Sequence, residues 1–242
     1  SLRVSSETEA FKNIDFITTL SSAEAESLSK FHLSAIHSPQ NGINVNDYYK
    51  DRLKSRKHLG IPEQKKVILH VSRFIKLKGL SYILKSFKDL SKEFDIELYV
   101  IGGNEYDELY EDCISSGATT LNRISPEELK YYYSAANVFA TYVLSPTKAT
   151  NAGGIGTAST EAIASNTPVI GSTIKNYLGD SHKVGIIPES YEDYLDALRK
   201  IFTSEIVFED ISKMAKPYDW DIIIKTFLDK YDYLQGKYYC KW

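Results

Sequence analysis

The chain has 242 residues, of which 43% are hydrophobic and 12% aromatic, and a formal net charge of -3. This length and apolar content exclude a disordered polypeptide and allow a sizeable core, while the charge excludes a nucleic-acid binder that relies on bulk phosphate attraction, so an anionic ligand has to be met by a local basic pocket. The two cysteines, Cys113 and Cys240, have no CxxC or Cys/His spacing and give neither a disulfide framework nor a zinc site, and no apolar run or leader pattern marks a membrane span or an export peptide, which together fit a reducing cytoplasm.

The opening Ser1-Leu2, without methionine, reads as the start of a segment excised from a longer protein. The β-forming run from Ile14 to Thr19 predicts a strand, and Ser21 with Glu24 predicts a capping box opening a helix to about Phe31. Ser38-Pro39-Gln40-Asn41-Gly42 is a turn-rich stretch, after which a helix-like segment from Tyr48 to His58 runs to Gly60-Ile61-Pro62. From Val67 the pattern becomes regular. Val67 to Val71 reads as a buried strand, followed by Leu80, Ile83, Leu84, Phe87 and Leu90 at helical spacing. Strands are expected at Ile96 to Ile101, near Ala118 to Leu121, at Val138 to Tyr142, Pro168 to Gly171 and Val184 to Ile187. Between them fall helices opened by the Ser125-Pro126-Glu127-Glu128 box, at Thr157 to Ser165 and at Tyr191 to Phe202. Short apolar strands alternating with helices predict an α/β fold, a Rossmann-like parallel sheet with helices on both faces. A last helix from Trp220 to Leu234, capped by Asp219, stands outside the alternation.

In open α/β sheets ligands bind at the carboxyl ends of the strands. After the Val67 strand comes Ser72-Arg73-Phe74-Ile75-Lys76-Leu77-Lys78-Gly79. Arg73 offers a bidentate fork, Lys78 a point charge, and the following helix its free N–H groups, a combination that suits a phosphate or diphosphate; a solvated basic loop is the plainer alternative. A second loop, Asn151-Ala152-Gly153-Gly154-Ile155-Gly156-Thr157, leads into a helix carrying Glu161. Its glycines allow backbone N–H groups to approach a ligand, although neither a P-loop nor GxGxxG is present. Glu161 is placed to accept from ribose hydroxyls, or else is a surface carboxylate. Asp219-Trp220-Asp221 reads as a helix start rather than a metal motif, and Tyr131-Tyr132-Tyr133 as helix packing.

The order of Asn41-Gly42-Ile43-Asn44, Arg73, Lys78-Gly79, Gly153-Gly154-Ile155-Gly156, Glu161-Ala162-Ile163-Ala164, Thr167-Pro168-Val169-Ile170-Gly171 and Gly185-Ile186-Ile187-Pro188 resembles the C-terminal half of family 4 retaining glycosyltransferases over nearly the whole chain. The resemblance implies a GT-B fold, with two Rossmann-like domains facing across a cleft. It implies that residues 1–37 are the last strand and helix of the N-terminal acceptor domain, 38–64 a connector, 65–216 the donor-binding domain, and 217–242 a helix and tail crossing back to the N-terminal domain. Arg73 and Lys78 would neutralise the donor diphosphate as the catalytic cations, with no metal and no cofactor. Gly153, Gly154, Ile155, Gly156 and Thr157 would meet phosphate and sugar, Glu161 the ribose, and Arg123-Ile124 the base. The implied activity is transfer of a hexose such as mannose or glucose from a GDP-, UDP- or ADP-sugar, with retention, to a saccharide or lipid-linked acceptor, in the cytoplasm or peripherally at the cytoplasmic membrane face. The donor-binding half alone would turn over poorly or not at all. In the family pattern a glutamate lies eight positions before the second one; here that position is Gly153, and Ser72 stands where glycine is more common. The Gly153 departure motivates a rival reading as a non-catalytic sugar-nucleotide-binding subunit, and a GT-B nucleotide-sugar epimerase is a further alternative.

Overall fold

The computed structural model describes residues 14, 17–20, 22–29, 35–37, 41–48, 51–142 and 155–239. Its main sheet has six strands: β3 (Lys66–Val71), β4 (Ile96–Ile101), β5 (Thr119–Leu121), β6 (Val138–Ala140), β7 (Val169–Ile170) and β8 (Gly185–Ile186). They lie in the order β5-β4-β3-β6-β7-β8, and every pairing is parallel. This is the α/β architecture expected from the alternation.

Side-chain alternation along the strands builds two cores from one sheet. Val67 and Leu69 of β3, Tyr99 and Ile101 of β4, Phe139 of β6 and Val169 of β7 point to one face. There they meet Tyr133 and Ala135 of helix Pro126–Ala135, Ala162 and Ile163 of helix Thr157–Ala164, and Ile211 and Ala215 of the 3-10 segment Ile211–Tyr218. Ile68, Leu98, Val100, Val138, Ala140 and Ile170 point to the other face, against helices Leu80–Leu90, Tyr110–Ser115 and Tyr191–Phe202. The near-continuous apolar strands follow from this double covering.

A smaller parallel pair, β1 (Ile17–Thr19) and β2 (Ala35–His37), flanks helix Ser22–Ser29. Strand β2 corrects the sequence reading of one strand and one helix in residues 1–37: three residues carry too short a pattern to signal a strand, and pairing with β1 supplies what local propensity does not. Glu24 accepts from Leu20 N–H at 2.9 Å, one residue before the expected cap Ser21, which itself lies outside the described residues. The helix expected from Tyr48 starts later, spanning Arg52–Leu59, because Asp51 takes the cap by accepting from Lys54 N–H, and Gly60 ends it at φ 70°. The last helix, Trp220–Tyr239, outruns the apolar pattern that predicted it. Among the described residues no helix is long and apolar enough to cross a membrane.

Arg56 locks helix Arg52–Leu59 beneath the amino ends of β3 and β6. Its buried guanidinium donates to the carbonyls of Ala135 (3.0 Å) and Glu63 and to Asn137 Oδ1 (2.8 Å), which also accepts from Val67 N–H. Burial pulls its pKa down, and the carbonyl acceptors keep the charge solvated. Arg56→Leu should therefore lower unfolding free energy by about 2–4 kcal/mol in urea denaturation, since the buried acceptors lose their donors. A loss below about 0.5 kcal/mol would contradict this.

Candidate functional site

The strand order creates the site. From β3 the chain winds outward through β4 to β5, then returns beside β3 to form β6 and winds the other way through β7 to β8. The connections after β3 and β6 thus diverge, and a crevice opens between them at the carboxyl ends. Gly79, at φ 72°, closes the loop after β3; a Cβ there would lie 1.4 Å from the Tyr142 carbonyl oxygen just beyond β6. Only glycine permits the two loops to meet so closely in that left-handed conformation.

The helices that flank the crevice have bare amino ends. Helix Leu80–Leu90 begins at Gly79 and helix Thr157–Ala164 at Gly156, and among the described residues neither has a side-chain cap. Three other helices are capped by Asp51, Ser125 and Ser190, while the short helix Tyr110–Ser115, entered from Leu109, also lacks a side-chain cap. Ser125 accepts from Glu128 N–H, but the expected reciprocal half of that box is replaced by a contact of Glu128 with His58 at 3.0 Å. Among the described residues, nothing lies within 4 Å of where a side chain on Gly156, at φ 84°, would project. The dipoles of two helix N-termini that, among the described residues, carry no side-chain cap favour an anion in the crevice between them.

Arg73 and Lys78 stand at the first of these ends with exposed side chains, and among the described residues neither makes an ion pair; Lys76, between them, is held by Glu108 at 2.8 Å. The Arg73 backbone is fixed on both sides. Ser72 N–H donates to Ile101 at 2.9 Å, Ile75 N–H to the Arg73 carbonyl at 2.9 Å, and the fully buried Phe74 donates its N–H to Asp107 at 3.1 Å. Below the loop, His70 is buried, with Nδ1 2.8 Å from the Ala140 carbonyl and Nε2 2.7 Å from Ser72 Oγ. Burial pushes its pKa down to about 4, with the Lys78 charge acting in the same direction.

Across the crevice, Glu161 is not a free surface carboxylate. Tyr48 donates to Oε1 at 2.8 Å and Tyr133 to Oε2 at 2.7 Å. Burial, followed by the Glu161 charge, pushes both phenols above their ordinary pKa, so both remain donors. Each oxygen retains a second acceptor position. Tyr131 stacks on His58 and Tyr132 meets Tyr99 edge-on, so those two pack as expected, while Tyr133 adds the polar contact that the sequence reading missed. Arg123 is exposed and Ile124 half-buried just past β5; Ile155 is buried and Thr157 exposed at the amino end of its helix. Gly153 and Gly154 lie outside the described residues. The hydroxyls of Thr141, Thr173 and Ser159 form a chain with 3.0 Å links, another feature with no sequence signal. Asp219 caps the last helix by accepting from Asp221 N–H at 3.0 Å and ties it to Val45 N–H at 3.1 Å.

The family model for glycosyl transferases group 1 matches residues 51–217, and the chain belongs to that family. An uncharacterized glycosyltransferase of Methanocaldococcus jannaschii is 21% identical over 94% of this chain and 64% of its own length. A sucrose-phosphate synthase from Thermosynechococcus elongatus superposes with a TM-score of 0.75 at 19% identity, over 98% of this chain and 62% of that one. The Anabaena HepE protein in complex with UDP superposes with a TM-score of 0.72 at 15% identity, over 92% and 65% of the two chains. This chain thus spans less than two thirds of the length of each.

His70 makes stability depend on pH. The unfolded chain takes up a proton as pH falls through the ordinary histidine value of 6.5, whereas the fold resists protonation until about 4. Its contribution is complete above the first value and is lost as pH falls towards the second. Between pH 7 and 4 the wild-type protein should lose on the order of 3 kcal/mol more unfolding free energy than His70→Phe. Parallel pH profiles for the two proteins would contradict the assignment.

Proposed function

We propose that this group 1 glycosyltransferase chain is the donor-binding part of a family 4 retaining enzyme of GT-B type, and that its crevice holds a nucleoside-diphosphate sugar. The observation that carries the reading is the convergence of two helix N-termini, at Gly79 and Gly156, beside two exposed cations, Arg73 and Lys78; among the described residues the helix ends have no side-chain cap and the cations no ion-pair partner. Such a site favours a compact polyanion that accepts many hydrogen bonds, which describes a diphosphate. Glu161, oriented by its tyrosines, is assigned to the ribose, and Arg123 and Ile124 to the base. The amides around Gly153, Gly154, Ile155, Gly156 and Thr157 are assigned to phosphate and sugar.

In the proposed reaction the bond between the sugar C1 and the diphosphate oxygen breaks, and its electron pair stays on the diphosphate. The acceptor hydroxyl oxygen forms the new bond to C1 on the face the leaving group vacates, giving retention, and the hydroxyl proton passes to the departing diphosphate oxygen. Arg73 and Lys78 stabilise the charge that accumulates on the leaving oxygen. The transferred group is a hexose, and the saccharide or lipid-linked acceptor is brought by an N-terminal domain to which residues 1–37 belong. Residues 38–64 connect that domain to the donor domain of residues 65–216, and 217–242 return to it. A second reading, a sugar-nucleotide-binding subunit without transfer activity, draws on Gly153 in place of the first family glutamate.

Calorimetric titration with UDP, GDP and ADP tests the site, with UDP first because the HepE structure contains it. Saturable binding to one nucleotide is expected, weakened roughly 10-fold or more by Arg73→Ala and by Glu161→Ala, since each removes a charge-assisted contact. Binding indifferent to both substitutions, or none to any of the three, would reject the site. Donor turnover by the full-length protein separates enzyme from subunit: binding without consumption of any donor would favour the subunit.

A further inference from the structure

The position of His70 is costly for an imidazole. It lies on the sheet face occupied by Ile68, Val138 and Ala140, in a core where an aliphatic or phenyl side chain would need no polar partner. Both ring nitrogens are nevertheless engaged, and the roles follow from the partners. The Ala140 carbonyl can only accept, so Nδ1 carries the proton and donates at 2.8 Å; Nε2 then accepts from the Ser72 hydroxyl at 2.7 Å. The same hydroxyl lies 2.7 Å from the Arg73 carbonyl, so one proton is shared between the imidazole and the backbone of the next residue.

The location of this chain of contacts gives it meaning. The register between β3 and β6 pairs Ile68 with Val138 and Leu69 with Phe139, and there it ends. One residue farther on, at the mouth of the crevice, the His70 side chain spans the two diverging strands. Its contacts run from the end of β6, through β3, to Arg73. On the far side of Arg73 the chain is anchored by buried Phe74 and Asp107, while the guanidinium itself stays exposed. The Lys78 charge also reaches His70.

We propose that His70 and Ser72 are positioning residues for the donor diphosphate: by sharing one hydroxyl proton they fix the Arg73 carbonyl against the β3–β6 junction and hold the guanidinium where the diphosphate is bound. The proposal rests on the donor-site reading. It differs from the role of an ordinary satisfied core histidine, which affects stability and leaves anion affinity unchanged.

The test is calorimetric titration with inorganic pyrophosphate, with melting temperatures measured in parallel, on the wild type, His70→Phe, Ser72→Ala, Ser72→Thr and the His70→Phe/Ser72→Ala double variant. Each is repeated with Arg73→Ala. His70→Phe and Ser72→Ala should each weaken pyrophosphate by roughly 3- to 10-fold, the worth of one buried hydrogen bond. The double variant should be no weaker than the worse single one, because both changes break the same relay. Ser72→Thr retains the hydroxyl and should bind as the wild type does, and in the Arg73→Ala background the other substitutions should cause no further loss. If Arg73→Ala weakens pyrophosphate but His70→Phe and Ser72→Ala do not, the positioning role is overturned and the donor site stands. If Arg73→Ala binds pyrophosphate as tightly as the wild type, the donor-site reading fails and the proposal with it. Should His70→Phe not fold, the partly exposed Ser72→Ala and Ser72→Thr pair decides the matter by the same criteria.

Discussion

The site depends on one constraint: all six strands of the main sheet point the same way. Parallel pairing forces every connection to cross a face of the sheet, so the carboxyl ends collect on one rim and each crossover helix starts from that rim. A reversal of winding direction between β3 and β6 then leaves adjacent strands whose helices lie on opposite faces. The crevice and the positive helix ends around it are therefore products of topology, and Arg73 and Lys78 add charge to a location that is already electropositive.

Opposite ends of the sheet are held by different chemistry. At the amino ends, Arg56 satisfies carbonyls and Asn137 from within a buried setting and joins the preceding helix to the sheet. At the carboxyl ends, the Gly79–Tyr142 approach, the His70 relay and the hydroxyl chain through Thr173 bring the loops together without occupying the crevice. Polar groups that are fully paired define geometry more sharply than apolar packing does, and this suits a rim that must hold charged groups in place.

Legibility in the sequence followed the length and regularity of each signal. The buried runs of β3 and β4 have six residues each, and helix Tyr191–Phe202 shows an apolar stripe over twelve residues, so these elements could be read directly. Strand β2, with three residues, and the late start of helix Arg52–Leu59 could not, because pairing and an aspartate cap decided them. Among candidate site residues, the basic loop and the glycine before helix Thr157–Ala164 announced themselves through residue type. The partners of Glu161 did not: Tyr48 is 113 residues away and Tyr133 is 28, and neither a tyrosine in a turn nor one in a run of three signals a carboxylate clamp. His70 was hidden inside an apolar run, where its chemistry becomes visible only once Ala140 and Ser72 are placed beside it.

The central claim is that the carboxyl rim at the β3–β6 junction is the ligand site. Backbone amide NMR of the isotopically labelled protein during titration with UDP tests it most directly. The account predicts shift changes concentrated at residues 72–79, 122–124 and 155–161, with little change around the polar cavity lined by Asn137, Asn166 and Ser204 at the amino ends of the strands. Changes centred on that cavity, with the rim silent, would contradict it.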